Sequence, residues 1–329
     1  MKHLIVTADD FGVFPAINEG IIDAVNAGKV NSVAVLANYK GHVLPNAPYG
    51  TKYENSLTNV KWLINNTQAN QPEIGCHLTV TSGRPLTGDK MDFACDGDGN
   101  FHSYGNFRNF KEPEQLKKLY DELCAQVEEL KSVPGCSVKH LTNHHTSLTL
   151  FRHHFDEYLK VAKKFGLPIR SADVRPSKRQ ETYLWILDRK LTSDIPKEER
   201  EAMLEFQAKI ADEFRKNPFG VKGPDFLDSR HYGPVGLLPA TRIAAFWLAK
   251  AKRKKLDEFF EEFEKSTEKS VELLLHLAKP GFLTVDRSNH LDYSGVDRNY
   301  FDSRALELKA IRDYDLRKWK GVEHKGWSF

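Results

Sequence analysis

The stretch Lys2–Leu36 limits what this chain can fold into more than any other. Lys2–Ala8 (KHLIVTA) is short, apolar and partly β-branched, and it reads as a buried strand that ends in a polar pair. Pro15–Ala27 reads as a helix, with proline at its start and Gly28 where a C-terminal cap belongs. Asn31–Leu36 (NSVAVL) reads as a second strand. Strand, helix and strand in so short a span make a βαβ unit, which implies a parallel sheet.

The alternation continues. Glu73–Val80, Ser137–Leu141, Leu167–Arg170 and Phe282–Val285 read as strands. Pro113–Leu130 carries Leu116, Leu119, Tyr120, Leu123, Val127 and Leu130 at helical spacing, and Phe151–Phe165 is a helix stopped at Gly166. Ile195–Lys216 and Lys254–Lys279 read as charged helices, with a long Gly- and Pro-bearing loop, Gly220–Pro239, between them. The basic run Ala249–Lys255 reads as a solvated helix face. Repeated strand–helix units point to an α/β barrel or a doubly wound sheet, and both gather functional residues at the C-terminal ends of strands. The 329 residues, 40% of them hydrophobic, are enough for one large domain.

Charge and cysteine usage remove several function classes. A net charge of +3, from 48 basic and 45 acidic residues, makes no electrostatic case for a nucleic-acid or membrane partner. The N-terminal apolar run is broken at once by Asp9 and Asp10, and no run is long enough to span a bilayer. Cys76, Cys95, Cys124 and Cys136 form no CxxC pair and read as reduced thiols, so a cytoplasmic location is expected. Asp96–Asn100 fails as a calcium loop, because Phe101 and Phe107 stand where an EF-hand needs Gly and Glu. No phosphate-binding glycine loop or GxSxG elbow is present.

Three constellations remain. Asp9–Asp10 closes the first strand, and Asp10 could bind a cation or merely cap the helix starting near Pro15. His77 lies among apolar strand residues and taken alone reads as a core histidine. His140, His144 and His145 cluster where the Ser137–Leu141 strand ends. Together, Asp10, His77 and His144 offer one carboxylate and two imidazoles from three strand ends. That is a three-ligand metal site with positions left for water or substrate, and a neighbouring carboxylate can act as base.

These residues carry a family resemblance. TADDFG (Thr7–Gly12) followed by PAINEGIIDAVNAGKVNSVAVLAN (Pro15–Asn38) resembles the opening of YdjC-like carbohydrate deacetylases, which include chitooligosaccharide deacetylases. IGCHLTVTSGRPL (Ile74–Leu86), VKHLTNHHTSL (Val138–Leu148) and YFDSRALEL (Tyr300–Leu308) resemble later motifs of that family, in the same order. The resemblance implies a distorted TIM-type (β/α) barrel, here a single domain over 1–329 with a helical insert near 176–256. It implies one divalent metal ion, zinc or magnesium, held by Asp10, His77 and His144, with Asp9 as catalytic base and an N-acetylated sugar or oligosaccharide as substrate. Asn38, Thr81 and Arg84 would line the sugar site. Arg230 and Tyr232 would reach it from the Gly220–Pro239 loop, where Asp225, Asp228 and His231 also lie; equally, the insert could serve packing or a homodimer. Thr142, Asn143, Thr146 and Lys279 depart from the family pattern, which leaves Lys279 and His145 as candidates for protonating the leaving amine and His276 as a neighbour able to compensate. Two rival functions stay open: a metal hydrolase of a phosphoester or other amide, and a carbohydrate-binding protein without catalysis.

Overall fold

The structure, a computed structural model, describes residues 1–39, 56–102, 109–175, 196–216, 219–229, 242–279 and 298–327. Its strands are β1 (Lys2–Phe11), β2 (Ser32–Val35), β3 (Glu73–Leu78), β4 (Val138–Asn143), β5 (Val174–Arg175), β6 (Phe226–Asp228), β7 (Ser270–Leu275) and β8 (Val322–His324). The helices are α1 (Pro15–Asn26), α2 (Ser56–Asn66), α3 (Pro113–Lys131), α4 (Arg152–Phe165), α5 (Lys197–Arg215), α6 (Arg242–Lys265) and α7 (Arg298–Arg312).

The strands lie in the order β4-β3-β2-β1-β7-β6-β5, and every pairing is parallel. This is an α/β fold whose parallel sheet forms a half-barrel. Beyond β4, Leu141 bridges Ile169, and Ile169 N donates to Lys222 O at 2.9 Å. An eighth strand exists but does not extend this path. β8 pairs with Lys2–Leu4 of β1, while β2 takes Thr7–Phe11 and β7 takes His3–Ala8. A strand has two edges, so β8 and β2 share one edge of β1 end to end.

Pro15 stands at the start of α1, Phe14 is its N-cap without a side-chain bond, and Gly28, at φ 66°, follows its end. Asp10 therefore caps nothing, and the capping alternative falls. α3 and α4 bury Leu119, Leu123, Val127, Phe155, Tyr158 and Leu159; each such side chain contributes roughly 1.5–3 kcal/mol of burial. α6 packs Phe259, Phe260 and Phe263 inward.

Several sequence expectations need correction. The helix expected over Lys254–Lys279 ends at Lys265, and Ser270–Leu275 is a strand. All six residues of that strand are buried, so it shows no polar alternation, and the charged Glu272 disguises it further. Leu167–Arg170 contributes a single bridge, the strand following at Val174–Arg175. The Gly220–Pro239 loop contains β6. Within it, Asp225 accepts from the backbone of Lys269 (2.6 Å) and Ser270 (2.8 Å), at the start of β7 and thus at the far end from the strand C-termini. Asp228 is buried at the end of β6. Arg230, His231, Tyr232 and the strand expected at Phe282–Val285 lie outside the described residues. Asp96–Asn100 is a turn, with Asp96 Oδ1 accepting from the backbone of Asp98 and Asn100. The four cysteines are free. Among the described residues, no helix is long and apolar enough to cross a membrane.

Candidate metal and active site

Consecutive side chains in a regular strand point to opposite faces. β1 breaks this rule at Asp9–Asp10. Its register with β2 shifts between Ala8 and Phe11, and Asp10 adopts φ 70°. The bulge turns Asp10 back, so both carboxylates reach the same nitrogen: Asp9 Oδ2 lies 3.7 Å and Asp10 Oδ1 3.5 Å from His77 Nε2. The other non-glycine residues with positive φ are His145 (56°) and Thr146 (59°), at the end of β4. All the left-handed strain at non-glycine positions among the described residues therefore borders one site, as functional sites often show.

The expected ligands converge. Asp10 Oδ1 is 3.2 Å from His144 Nδ1, which is 3.3 Å from His77 Nε2. Asp10 Oδ1 is buried and has no hydrogen-bond partner. A tetrahedral ion with ~2.0–2.1 Å bonds sets its ligands about 3.3 Å apart, so the three separations fit a small divalent cation. The carboxylate–imidazole donor set suits the same ions. Burial pushes the Asp10 carboxyl up, but the adjoining His144 and His77 imidazoles, with His276, outweigh it and hold the group well below the usual range. Behind the candidate ligands, His77 Nδ1 lies 2.6 Å from Thr142 Oγ1, and Arg304 donates to Asp10 Oδ2 at 3.2 Å.

Asp9 is held differently. Arg170 donates to its two oxygens at 2.6 and 2.8 Å, and to Glu272 at 2.6–3.1 Å; all three residues are buried. Burial raises the Asp9 carboxyl, but Arg170 and then His77 outweigh it and keep it lowered. For Glu272 burial wins over Arg170, and its carboxyl is raised. His276 Nε2 stands 3.9 Å from Asp10 Oδ2, and burial presses its pKa down to about 4. Glu307, one turn beyond Arg304 on α7, accepts from His276 N at 3.3 Å and lies 3.7 Å from Lys252 Nζ; burial lifts its carboxyl to about 7.

The remaining candidates divide. His145 lies against His144 with ring centres 3.7 Å apart and planes tilted by 31°, and its Nδ1 lies 3.0 Å from Thr81 Oγ1. Burial, then His144, holds His145 well below the usual histidine range. Asn38 is buried and donates to Ser82 O at 2.8 Å. Arg84 is exposed and donates to Asn100 Oδ1 at 3.3 Å. The Lys279 ammonium is held 2.8 Å from Asp23 on α1, a carboxylate that Arg312 also binds. His140 leaves the cluster for the core, stacked on Trp327 at 4.2 Å. Arg170, Glu272 and Arg304 carry no role in the sequence reading. The available signals were a lone charge inside the apolar run of β7 and the arginine of the closing-helix motif.

The family pattern described as YdjC-like protein matches residues 3–320. A carbohydrate deacetylase of Thermoanaerobacter pseudethanolicus is 26% identical over 181 residues, 54% of this chain and 64% of that protein. A carbohydrate deacetylase of Vibrio cholerae is 32% identical over 167 residues, 51% of this chain and 58% of that protein. The chain thus spans less than two thirds of the length of these relatives. A crystal structure from Enterococcus faecalis, of a protein named for cellobiose-phosphate cleavage, shares the fold with a TM-score of 0.61 at 20% identity, covering 99% of this chain and 97% of that one.

Proposed function

This chain belongs to the YdjC-like protein family, and on that premise we propose that it is a metal-dependent hydrolase removing acetyl groups from N-acetylated sugars. The observation that carries the reading is the convergence of Asp10 Oδ1, His77 Nε2 and His144 Nδ1 within 3.2–3.5 Å of one another. The names of the relatives, carbohydrate deacetylases, support the sugar and the acetyl group.

In this reading Asp10, His77 and His144 hold one divalent cation, zinc or magnesium. Bound there, it would acidify a water and polarise the acetyl carbonyl. Asp9 takes the water's proton. Its oxygens keep lone pairs beyond those used by Arg170, and Arg170 fixes the carboxylate in place. His145, oriented by Thr81, is the group that donates to the substrate; a neutral imidazole can fill such a role. Lys279 is given no part, because its ammonium is engaged with Asp23. Asn38 and Thr81 border the sugar. The same proposal reads the fold as a distorted TIM-type barrel in one domain, supported by the Leu141–Ile169 bridge.

A second reading, a metal hydrolase of phosphoesters, draws on Thr142 standing behind His77 where the family has a carboxylate. Acetate release from N-acetylglucosamine oligomers, with and without chelator and after metal return, tests the first reading. Phosphate release from sugar phosphates in the same assay would favour the second. Sugar binding without either product, with metal supplied, overturns both.

A further inference from the structure

We propose that Thr142 is a positioning residue of the metal centre, favouring the ligand tautomer of His77 and, as a neutral hydroxyl, keeping the hold on the ion looser than a carboxylate would. The inference rests on the metal reading above and concerns what stands behind the ligand.

His77 has two ring nitrogens with opposite duties. Nε2 faces Asp10 Oδ1 at 3.5 Å and His144 Nδ1 at 3.3 Å, so a ligand lone pair must sit on Nε2. The ring proton then belongs on Nδ1, 2.6 Å from Thr142 Oγ1. His77 and Thr142 are register partners across β3 and β4, and both are buried. The contact is thus imposed by the sheet itself, and water does not compete for it.

The chemistry of the partner decides the consequence. A carboxylate can only accept, so it locks the proton on Nδ1 and makes Nε2 more basic. A threonine hydroxyl accepts or donates by rotating. It supports the ligand tautomer without enforcing it, and adds no negative charge behind the ring. Zinc affinity should therefore respond in opposite directions to loss of the hydroxyl and to its replacement by a carboxylate.

Zinc affinity, by competition with a chromophoric chelator, would be compared in wild type and in Thr142→Val, Thr142→Ser and Thr142→Asp, each checked for folding by circular dichroism without metal. Removing such a partner typically costs about 10–100-fold in affinity. Valine, which keeps the branched shape, should weaken binding by about 10-fold or more. Serine should stay near wild type, and aspartate should tighten binding. Wild-type affinity in the valine variant, or no gain in the aspartate variant, would overturn the proposal. Nitrogen-15 NMR of His77 in metal-free protein reads the tautomer directly. Nδ1–H should dominate in wild type and lose ground in Thr142→Val; an unchanged tautomer overturns the proposal without any metal present. Wild type that binds no zinc in the first assay would instead sink the metal reading, while the NMR result still decides the part played by Thr142.

Discussion

Asp9 and Asp10 are consecutive residues of one strand, yet their carboxylates lie 3.7 and 3.5 Å from the same atom, His77 Nε2. The bulge at Asp10 makes this geometry available, and what lies behind each carboxylate separates their duties. Asp9 is gripped through both oxygens by Arg170, whereas Asp10 keeps one oxygen without a hydrogen-bond partner between two imidazoles.

That separation predicts different fates on substitution. His77→Ala should abolish stoichiometric metal binding, because it removes one of the three proposed ligands. Asp9→Asn should leave metal content near wild type and reduce acetate release by at least about 100-fold, the usual scale of a lost general base. Metal analysis and turnover on the same preparations check both. Equal loss of metal in the two variants would make Asp9 a ligand.

Arg170 bridges two buried carboxylates from neighbouring strands, Asp9 of β1 and Glu272 of β7. Arg170→Met should destabilise the fold by about 3–5 kcal/mol, since it strands uncompensated buried charge. Adding Glu272→Leu should recover part of that loss, so the double variant should cost less than the sum of the single ones. Urea unfolding of the four proteins measures the coupling, and additive costs would contradict it.

His154 is buried on α4, with Nε2 2.7 Å from Phe110 O, and burial followed by His153 presses its pKa down to about 3. The unfolded residue takes a proton below its ordinary value of 6.5; the folded one does so only below about 3. Between these values the unfolded state binds more protons, so this group makes stability rise with pH, by up to about 1.4 kcal/mol per unit. His154→Gln, which keeps a donor for Phe110 O, should flatten the stability–pH curve across that window. Parallel curves for variant and wild type would show that His154 does not titrate in this way.

Trp327 stacks on His140 within 4° of parallel and donates from Nε1 to Ser32 Oγ at 2.9 Å. The pair fits because Gly75 beside it has no side chain: a Cβ there would come 2.0 Å from His140 Nε2. Trp327→Ala should cost about 3–5 kcal/mol of stability, the usual range for a buried aromatic, with metal stoichiometry unchanged. A melting curve and a metal assay on one variant suffice to check this.

The parallel α/β character of the fold and the three candidate ligands were legible in the sequence, because both are written locally. A βαβ unit shows in the order of apolar strand, proline-started helix and second strand, and ligand-type residues show at the strand ends. Arg170, Glu272 and Arg304 were not legible. Arg170 meets Asp9 across 161 positions of chain and Arg304 meets Asp10 across 294, so no local pattern marks either pair. Glu272 was hidden because a fully buried strand has no alternation to give it away, and its charge suggested a helix surface. Sequence order put carboxylates and imidazoles at neighbouring strand ends. Which carboxylate faces the histidines and which faces an arginine was decided only in the folded sheet, where the bulge at Asp10 and the partners brought by distant strands and α7 set each side chain's surroundings.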